Sequence, residues 1–292
     1  MTEQKSVLVL APSAKSKTTD LILKELAKNF KTFYAPLRDV VVIINKDKTK
    51  ITYEKQDLTK FDYVLSRIDS KRVAYGYQII KAFDSTEMLK PYSAEAVLIA
   101  HDKFLTTQLL SRYRVPIPKT YLAKTKESLN DILKIIEFPV MIKLKAGYGG
   151  MGIMYVEEKE AMKSIIESME TLKQEVLIQE FVENPGEDIR AFVIGDEVVA
   201  CMKRVAMKDE KRANVKIGGK PVAFEASQEI KDVAIKAARA LGADICAVDI
   251  IEGKEGPVVL ELNINPGIQG LMEATNMDIP KKISDYIKSQ MR

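Results

Sequence analysis

Residues 244–267, "DICAVDIIEGKEGPVVLELNINPG", narrow the choice of fold more than any other stretch of the chain. Two apolar runs flank Gly253 and Gly256, and they read as antiparallel neighbours in a sheet. Along the second run the side chains alternate. Leu260, Leu262 and Ile264 fall on one face, and Glu261, Asn263 and Asn265 on the other. An ordinary wet strand face mixes Lys, Thr and Glu, whereas this one carries only oxygen-bearing groups and ends in Pro-Gly. On the partner strand Asp249 stands between Val248 and Ile250, where an unpaired carboxylate is costly to bury. Oxygen ligands gathered from two stiff paired strands suit a hard cation such as Mg²⁺. The plainer alternative is a surface strand with Asp249 paired to a lysine.

The totals exclude several other chemistries. The single histidine, His101, rules out His-rich zinc sites and His-His-carboxylate iron sites. A Ser-His-Asp triad would have to use it, and no G-x-S-x-G elbow is present. Cys201 and Cys246 are too few for a disulfide framework and suit a reducing compartment. No apolar run approaches the ~18 residues of a membrane helix, and the N-terminal "SVLVLA" is too short for a signal peptide core. A cytoplasmic globular protein without a membrane partner is expected. The net charge of +4 favours anionic ligands but lacks the dense basic stripe of a nucleic-acid binder.

Along the chain the rhythm changes once. "SVLVLA", "TTDLILKELAKNF" and "DVVVIIN" alternate as strand, helix and strand, which predicts a parallel, helix-covered sheet. In that helix Leu21, Leu23 and Leu26 are the expected apolar side. Helices over "VAYGYQIIKAFDST" and "SAEAVLIAHDKFLTTQLLSRY" follow, and the prolines of "RVPIPKTYLA" mark a boundary. Beyond it "PVMIKLK" and "GIMYV" flank a glycine loop. A helix over 157–172 is expected to bury Ala161, Ile165, Met169 and Leu172, and "VLIQEFV" follows as a strand. Gly195-Asp196 predicts a hairpin. A helix from 228 has Ser227 as N-cap and Gly242 as its stop.

Gly147, Gly149 and Gly152 match G-x-G-x-x-G, but a strand rather than a helix follows, which excludes the dinucleotide fingerprint. The loop can still bring backbone N–H groups to phosphate oxygens, with Lys143 supplying a cation just before it. The end of "VLIQEFV" could present main-chain groups to an adenine edge. Arg204, Arg212 and Asn214 could clamp a phosphoryl group or a carboxylate.

In combination, "HDKFLTTQLL", "FPVMIKLKAGYGGMGI", "LIQEFVENPGEDIRAFVIGDEVVACMKR", "RANVKIGG", "ICAVDII" and "LELNINPGIQGLMEATNMDIPKKISDYI" closely resemble the RimK-type branch of the ATP-grasp carboxylate–amine ligases. The resemblance spans roughly residues 61–287. It implies an α/β ATP-grasp fold with α+β elements: an N-terminal parallel-sheet domain (1–95), a central subdomain with the glycine loop (96–182) and a C-terminal subdomain with the magnesium strands (183–292). It implies ATP and two Mg²⁺ ions, with Mn²⁺ able to substitute. Lys103, Lys143, Gly147, Gly149 and Gly150 then meet the phosphates. Gln179, Glu180, Phe181 and Val182 hold adenine, and Asp188 the ribose. Arg204, Arg212 and Asn214 face the γ-phosphate and the acyl-phosphate. Asp249, Glu261 and Asn263 match the magnesium ligands, while Arg67, Arg190 and Asn265 stand on the substrate side.

The reaction implied is activation of a carboxylate as an acyl-phosphate and its coupling to an α-amino acid, with glutamate favoured. The acceptor would be a coenzyme, a peptide or a protein C-terminus, including a carrier protein, and the assembly a homodimer or homotetramer. A non-catalytic ATP-binding module is the alternative. The chain departs from the pattern at Asp69, where a glycine often follows "RI", and around Lys216 and His101.

Overall fold

The computed structural model describes residues 4–12, 16–46, 48–144, 152–171, 175–183, 186–205 and 220–291. Gly147, Gly149, Gly150, Arg212 and Asn214 lie outside the described residues.

The chain opens with β1 (Ser6–Ala11), α1 (Lys17–Leu26) and β2 (Lys31–Pro36), a parallel β-α-β unit. β3 (Val41–Asn45), β4 (Lys48–Tyr53) and the short β5 (Gln56–Asp57) form a separate antiparallel sheet, and β6 (Tyr63–Ser66) returns beside β1 to give the order β2-β1-β6. The sequence pattern assigns "DVVVIIN" to the parallel unit, but the structure gives that place to "KTFYAP". β2 is an edge strand whose Phe33 and Tyr34 are only half-buried, so it needs no continuous apolar run. β3 is more apolar yet exposes Val41, Ile43 and Ile44. In α1 the buried residues are Thr18, Thr19, Ile22 and Leu26, so of the expected leucines only Leu26 is fully buried.

β1 is buried on both faces. Leu8 and Leu10 join a core with Ile79, Ile80, Phe83 and Val97 that reaches Ala234, Val248 and Leu262 near the other end of the chain. Val7 and Val9 join a second core with Ile22, Phe192, Ile245 and Ile283. The N-terminal sheet is therefore welded to the C-terminal one. After α2 (Val73–Asp84), the expected single helix at 93–113 is two: α3 (Ala94–His101) and α4 (Lys103–Arg112). Asp102 makes the break. Its Oδ1 accepts the N–H groups of Phe104 and Leu105, each at 3.0 Å, and this N-cap places Lys103 at the first turn of α4.

The central section comprises β7 (Thr120–Ala123), α5 (Lys126–Ile132), β8 (Val140–Leu144), β9 (Ile153–Val156), α6 (Lys159–Thr171) and β10 (Val176–Glu180). Its antiparallel sheet runs β7-β10-β8-β9. It has a core of its own, including Leu129, Val140, Ile142, Met162, Ile166 and Ile178. The proline-rich boundary thus contains a strand, and α5 follows it. In α6 the buried pair is Met162 and Ile166, with Ile165 and Met169 half-buried and Ala161 exposed.

β11 (Glu187–Ile194), β12 (Glu197–Val205), β13 (Lys220–Ala223), α7 (Gln228–Leu241), β14 (Ile245–Gly253) and β15 (Gly256–Asn263) build the C-terminal sheet, ordered β13-β12-β11-β14-β15. α8 (Gln269–Thr275) and α9 (Ile279–Gln290) close the chain. Gly195 turns the β11–β12 hairpin at φ 57°. Ser227 caps α7 and Gly242 ends it in the left-handed conformation. The β14–β15 ladder departs from simple alternation. Asp249 faces Glu261 but Ile250 faces Val259, so Leu260 is an extra residue in a bulge. The buried set becomes Val259, Leu262 and Ile264, with Leu260 only half-buried, and the bulge falls where the two carboxylates meet.

Candidate active site

The register of the C-terminal sheet lays charged residues across four strands. Arg204 lies opposite Asp188, Arg190 opposite Asp249, and Asp249 opposite Glu261. Cross-strand partners share a face, so these side chains meet. Arg190 grips Asp249 with both prongs, Nε to Oδ1 at 2.8 Å and Nη2 to Oδ2 at 2.8 Å. Arg204 reaches the same Oδ2 with Nη2 at 2.9 Å and donates its Nε to Asp188 Oδ1. Two guanidinium groups and two carboxylates sum to zero, which lets Arg204 and Asp249 sit only 3% and 5% exposed. Burial opposes the Asp249 charge, but Arg190 and Arg204 outweigh it and hold its carboxyl well below the usual carboxylate range. Burial raises the Asp188 carboxyl, and Arg204 alone among the four touches it to oppose this. A proton would therefore settle on Asp188 before Asp249.

This network engages four of the residues singled out in the sequence. Asp188, expected on a ribose, is bonded to Arg204. Arg190 and Arg204, expected on substrate and phosphoryl group, are both engaged with Asp249. Asp249, expected as an open metal ligand, already accepts three N–H groups, and its partners are arginines rather than the lysine of the plainer reading. Glu261 is exposed and has no ion pair among the described residues. Asn263 Oδ1 accepts the Asn265 N–H at 2.9 Å, which leaves it a second lone pair. Among the described residues no three His, Cys, Asp or Glu side chains are gathered as a metal would gather them. The donor set is nonetheless all oxygen. Glu261 and Asn263 fit Mg²⁺ as they stand, and Asp249 fits it in kind.

Facing these strands is Lys143 of β8, 8% exposed. Burial lowers its pKa to about 8; Glu261 and Asp249 pull it upward and Lys103 pushes it down. Lys103 and Lys143 thus share one electrostatic environment with the two acids, although they come from separate sections of the chain. The start of α4 adds the partial positive charge of a helix N-terminus beside Lys103.

The 179–182 segment is more committed than the sequence suggests. Gln179 is buried and donates Nε2 to Thr120 Oγ1 at 2.9 Å. The Glu180 N–H goes to the Lys119 carbonyl at 3.0 Å and the Phe181 N–H to the Pro139 carbonyl at 3.1 Å, which removes both donors from the set open to a base edge. Glu180 Oε1 accepts the Tyr121 hydroxyl and pairs with Lys119. The Phe181 ring stands edge-on to Tyr155 with centroids 5.0 Å apart. Val182 presses on the β14–β15 turn, where a Cβ on Gly253 would lie 3.0 Å from Val182 Cγ1.

On the far side Arg67 follows β6 at 8% exposure and donates Nη2 to the Pro266 carbonyl at 3.1 Å, one residue beyond Asn265. Burial lowers its pKa to about 10, so it remains charged at neutral pH. Of the expected residues, the structure bonds Asp188, Arg190, Arg204 and Asp249 to one another, sets Glu261 opposite Asp249 in the ladder, and holds Lys143 within electrostatic reach of Glu261, Asp249 and Lys103; Arg67 bonds Pro266, the residue after Asn265. The N-cap role of Asp102 escapes the sequence reading, although an Asp preceding Lys-Phe-Leu is its local signal.

A sequence model of the RimK-like ATP-grasp domain matches residues 100–287, and one of the RimK pre-ATP-grasp domain matches residues 6–97. A probable alpha-L-glutamate ligase of Vibrio vulnificus strain YJ016 is 34% identical over 251 residues, covering 85% of this chain and 83% of the relative. Another, from Rhodopirellula baltica, is 38% identical over 244 residues, and there the match covers 82% of this chain and 60% of the relative. Among solved structures, the ATP-grasp ligase PsnB complexed with a minimal precursor superposes with a TM-score of 0.76 at 20% identity, covering 98% of this chain and 99% of that one. The chain therefore belongs to the RimK-type ATP-grasp ligase family, and it is an ATP-dependent ligase.

Proposed function

We propose that the chain joins the amine of an α-amino acid, L-glutamate in the first instance, to a carboxylate that ATP has activated. The carboxylate oxygen attacks the γ-phosphorus and ADP leaves, giving an acyl-phosphate. The amine nitrogen then attacks the carbonyl carbon, phosphate departs with the bridging oxygen, and an amide remains. A reaction of this kind needs positioning and charge neutralisation more than a protein nucleophile. That matches a chain whose one histidine bonds a main-chain carbonyl and whose two cysteines are buried.

The observation that carries the reading is the buried Lys143 of β8, close enough to Glu261, Asp249 and Lys103 for all three to act on its charge. Two cations across from two acids can accept a triphosphate only if its charge is shared, which is the arrangement an Mg²⁺-nucleotide presents. Magnesium, held by Glu261 and Asn263 together with Asp249, would draw negative charge from the transferring phosphoryl group. Lys103 and Lys143 would bind phosphate oxygens, and the 179–182 segment would flank the base. Arg204 and Arg190 would orient Asp249, and Arg212 and Asn214 would meet phosphate or acyl-phosphate oxygens. The relatives named alpha-L-glutamate ligases support glutamate as the donor. A PsnB structure containing Mg and ADP supports the cofactor pair.

The test is ADP release with Mg²⁺ and ATP across amino acids, each with and without peptide, coenzyme and carrier-protein carboxylates, with products weighed by mass spectrometry. Release dependent on glutamate and one acceptor, with a product heavier by one glutamyl residue, is expected. Glu261→Gln should lower turnover by about a hundredfold or more while leaving the unfolding midpoint unchanged. Turnover near the wild-type rate would remove Glu261 from the metal site.

A further inference from the structure

The small antiparallel sheet of the N-terminal section has two edges, and they are treated differently. β5, at one edge, is a short polar strand, Gln56–Asp57. β3, at the other, runs over Val41–Asn45 with no charge, no proline and no break in register, and it leaves Val41 53%, Ile43 50% and Ile44 75% exposed. A strand edge of this kind presents unpaired N–H and C=O groups to any other strand, and proteins that remain single cover it, shorten it or charge it. The hairpin decides which groups face outward. Asn45 stands opposite Lys48 across a two-residue connection, and such a pair exchanges hydrogen bonds. Alternation along the ladder then turns the main-chain groups of Val41 and Ile43 toward β4, and those of Val42 and Ile44 outward. Among the described residues no main-chain group outside the sheet bonds to Val42 or Ile44.

We infer that β3 pairs with β3 of a second copy of this chain, antiparallel about a twofold axis that passes between the two Ile43 residues. A twofold that joins two antiparallel edges stands perpendicular to the sheet, so one residue must face itself. With Ile43 on the axis, Val42 of each copy faces Ile44 of the other, and the outward N–H and C=O groups of both residues are all used. The neighbouring registers do worse. An axis at Val42 would set Ile44 against Val40, whose N–H goes to the Leu37 carbonyl at 3.4 Å and whose carbonyl accepts the Tyr75 hydroxyl at 2.8 Å. It would also set Lys46 against Arg38, like charge against like. An axis at Ile44 would set Val42 against Lys46, which has left the strand at φ 54°. The register centred on Ile43 lays the uncharged window 41–45 on itself. Lys46 then falls opposite Val40, one position from the exposed Asp39 of the second copy.

The pairing covers what the single chain leaves bare. Val41 and Ile43 of the two copies form one aliphatic strip on one face, and on the other face each Ile44 lies beside the half-buried Val42 of its partner. Two three-stranded sheets become one, whose outer edges are the short polar β5 strands, so the assembly closes at two. Charge also selects the occupant. An uncharged β3 offers nothing to an acidic or a basic peptide in particular, whereas β3 itself matches in length, in its aliphatic window and in the charges at its ends. The interface is small, so the dimer should dissociate in the micromolar range. The inference stands apart from the ligase reading, since none of the residues placed at the nucleotide and metal site lies on β3.

Sedimentation velocity of the full chain, from about one to a few hundred micromolar, should show a reversible monomer–dimer equilibrium. Ile43→Lys sets two ammonium groups face to face on the axis. Ile44→Pro removes an outward N–H while sparing every bond to β4. Each should raise the dissociation constant by about tenfold or more, with ATP affinity held within about twofold. Ile43→Cys reads the register directly. A cross-strand pair that exchanges no hydrogen bonds brings its Cα atoms to about 4.5 Å, within disulfide reach, so mild oxidation should link two chains. Asn45→Cys, which faces Val41 of the second copy, should stay unlinked, and the native Cys201 and Cys246 are buried. A wild type that stays monomeric throughout would overturn the pairing and leave the edge to a strand of a different protein. A dimer untouched by both Ile43→Lys and Ile44→Pro would overturn it too, as would Asn45→Cys linking as readily as Ile43→Cys.

Discussion

Two buried charged groups flank the end of β14 and β15, and they are balanced in opposite ways. Asp188, Arg204, Asp249 and Arg190 form a closed set in which every carboxylate meets a guanidinium and the charges cancel. Arg67, Asp69 and Asn265 form an open set, with one cation lacking an anion and two oxygens lacking donors among the described residues. Burial is similar: Arg204 is 3% exposed and Arg67 8%. The difference lies in partners. A closed set stabilises a geometry and gives up little to a ligand, so it behaves as scaffold for Glu261 and Asn263. An open set carries a desolvation cost that its own partners do not offset, so losing one of its members should cost the fold little.

The sharpest way to break the comparison is to open the closed set. Arg204→Met leaves Asp249 with one partner and Asp188 with none, both buried. A loss of about 3–5 kcal/mol in unfolding free energy is expected, read from urea denaturation. Adding Asp188→Asn to Arg204→Met removes one of the stranded charges and should restore part of that loss. A double variant no more stable than the single one would show that the two residues are not coupled.

A smaller effect comes from Lys143, which faces the closed set from the central section. Its pKa, about 8 against an ordinary 10.5, means that the folded state binds fewer protons than the unfolded one between those values. Stability therefore rises with pH across that window relative to Lys143→Met, and the cost of burying the charge is fully present below it. Function runs the other way, because phosphate binding needs the cation. Affinity for ATP measured without Mg²⁺ should fall by up to about tenfold per pH unit as pH rises past 8, and Lys143→Arg should flatten the profile. A wild-type profile as flat as that of the arginine variant would remove Lys143 from the phosphate site.

Much of this arrangement was legible in the sequence where local chemistry decides it. The alternation around Leu262, the Ser227 cap, the Gly195-Asp196 turn and the pairing of residues 245–253 with 256–263 all follow from side-chain period and turn residues. What was not legible depends on tertiary partners. "KTFYAP" became the parallel strand and "DVVVIIN" an exposed edge because sheet position, not hydrophobicity, determines how much of a strand is covered. The Leu260 bulge cannot be read from alternation, since it is a break in it. Asp249 reads as a ligand in its strand, yet Arg190 reaches it from 59 residues away in the chain. Asp69 was visible as a departure, but its unpaired oxygen was not, because that depends on what the fold fails to bring near it.

The smallest expected effect is the most telling about the open set. Arg67→Met deletes a buried cation that no carboxylate among the described residues neutralises and leaves one bare acceptor, the Pro266 carbonyl. Removing the charge relieves its desolvation cost, while the lost hydrogen bond costs about 1 kcal/mol. The two nearly cancel, so unfolding free energy should move by about 1 kcal/mol or less in either direction, against the several lost in Arg204→Met. A loss of stability as large as that of Arg204→Met would mean that Arg67 fastens the N-terminal sheet to the Asn265–Pro266 turn. The open set would then be structural, and the contrast between the two clusters would fail.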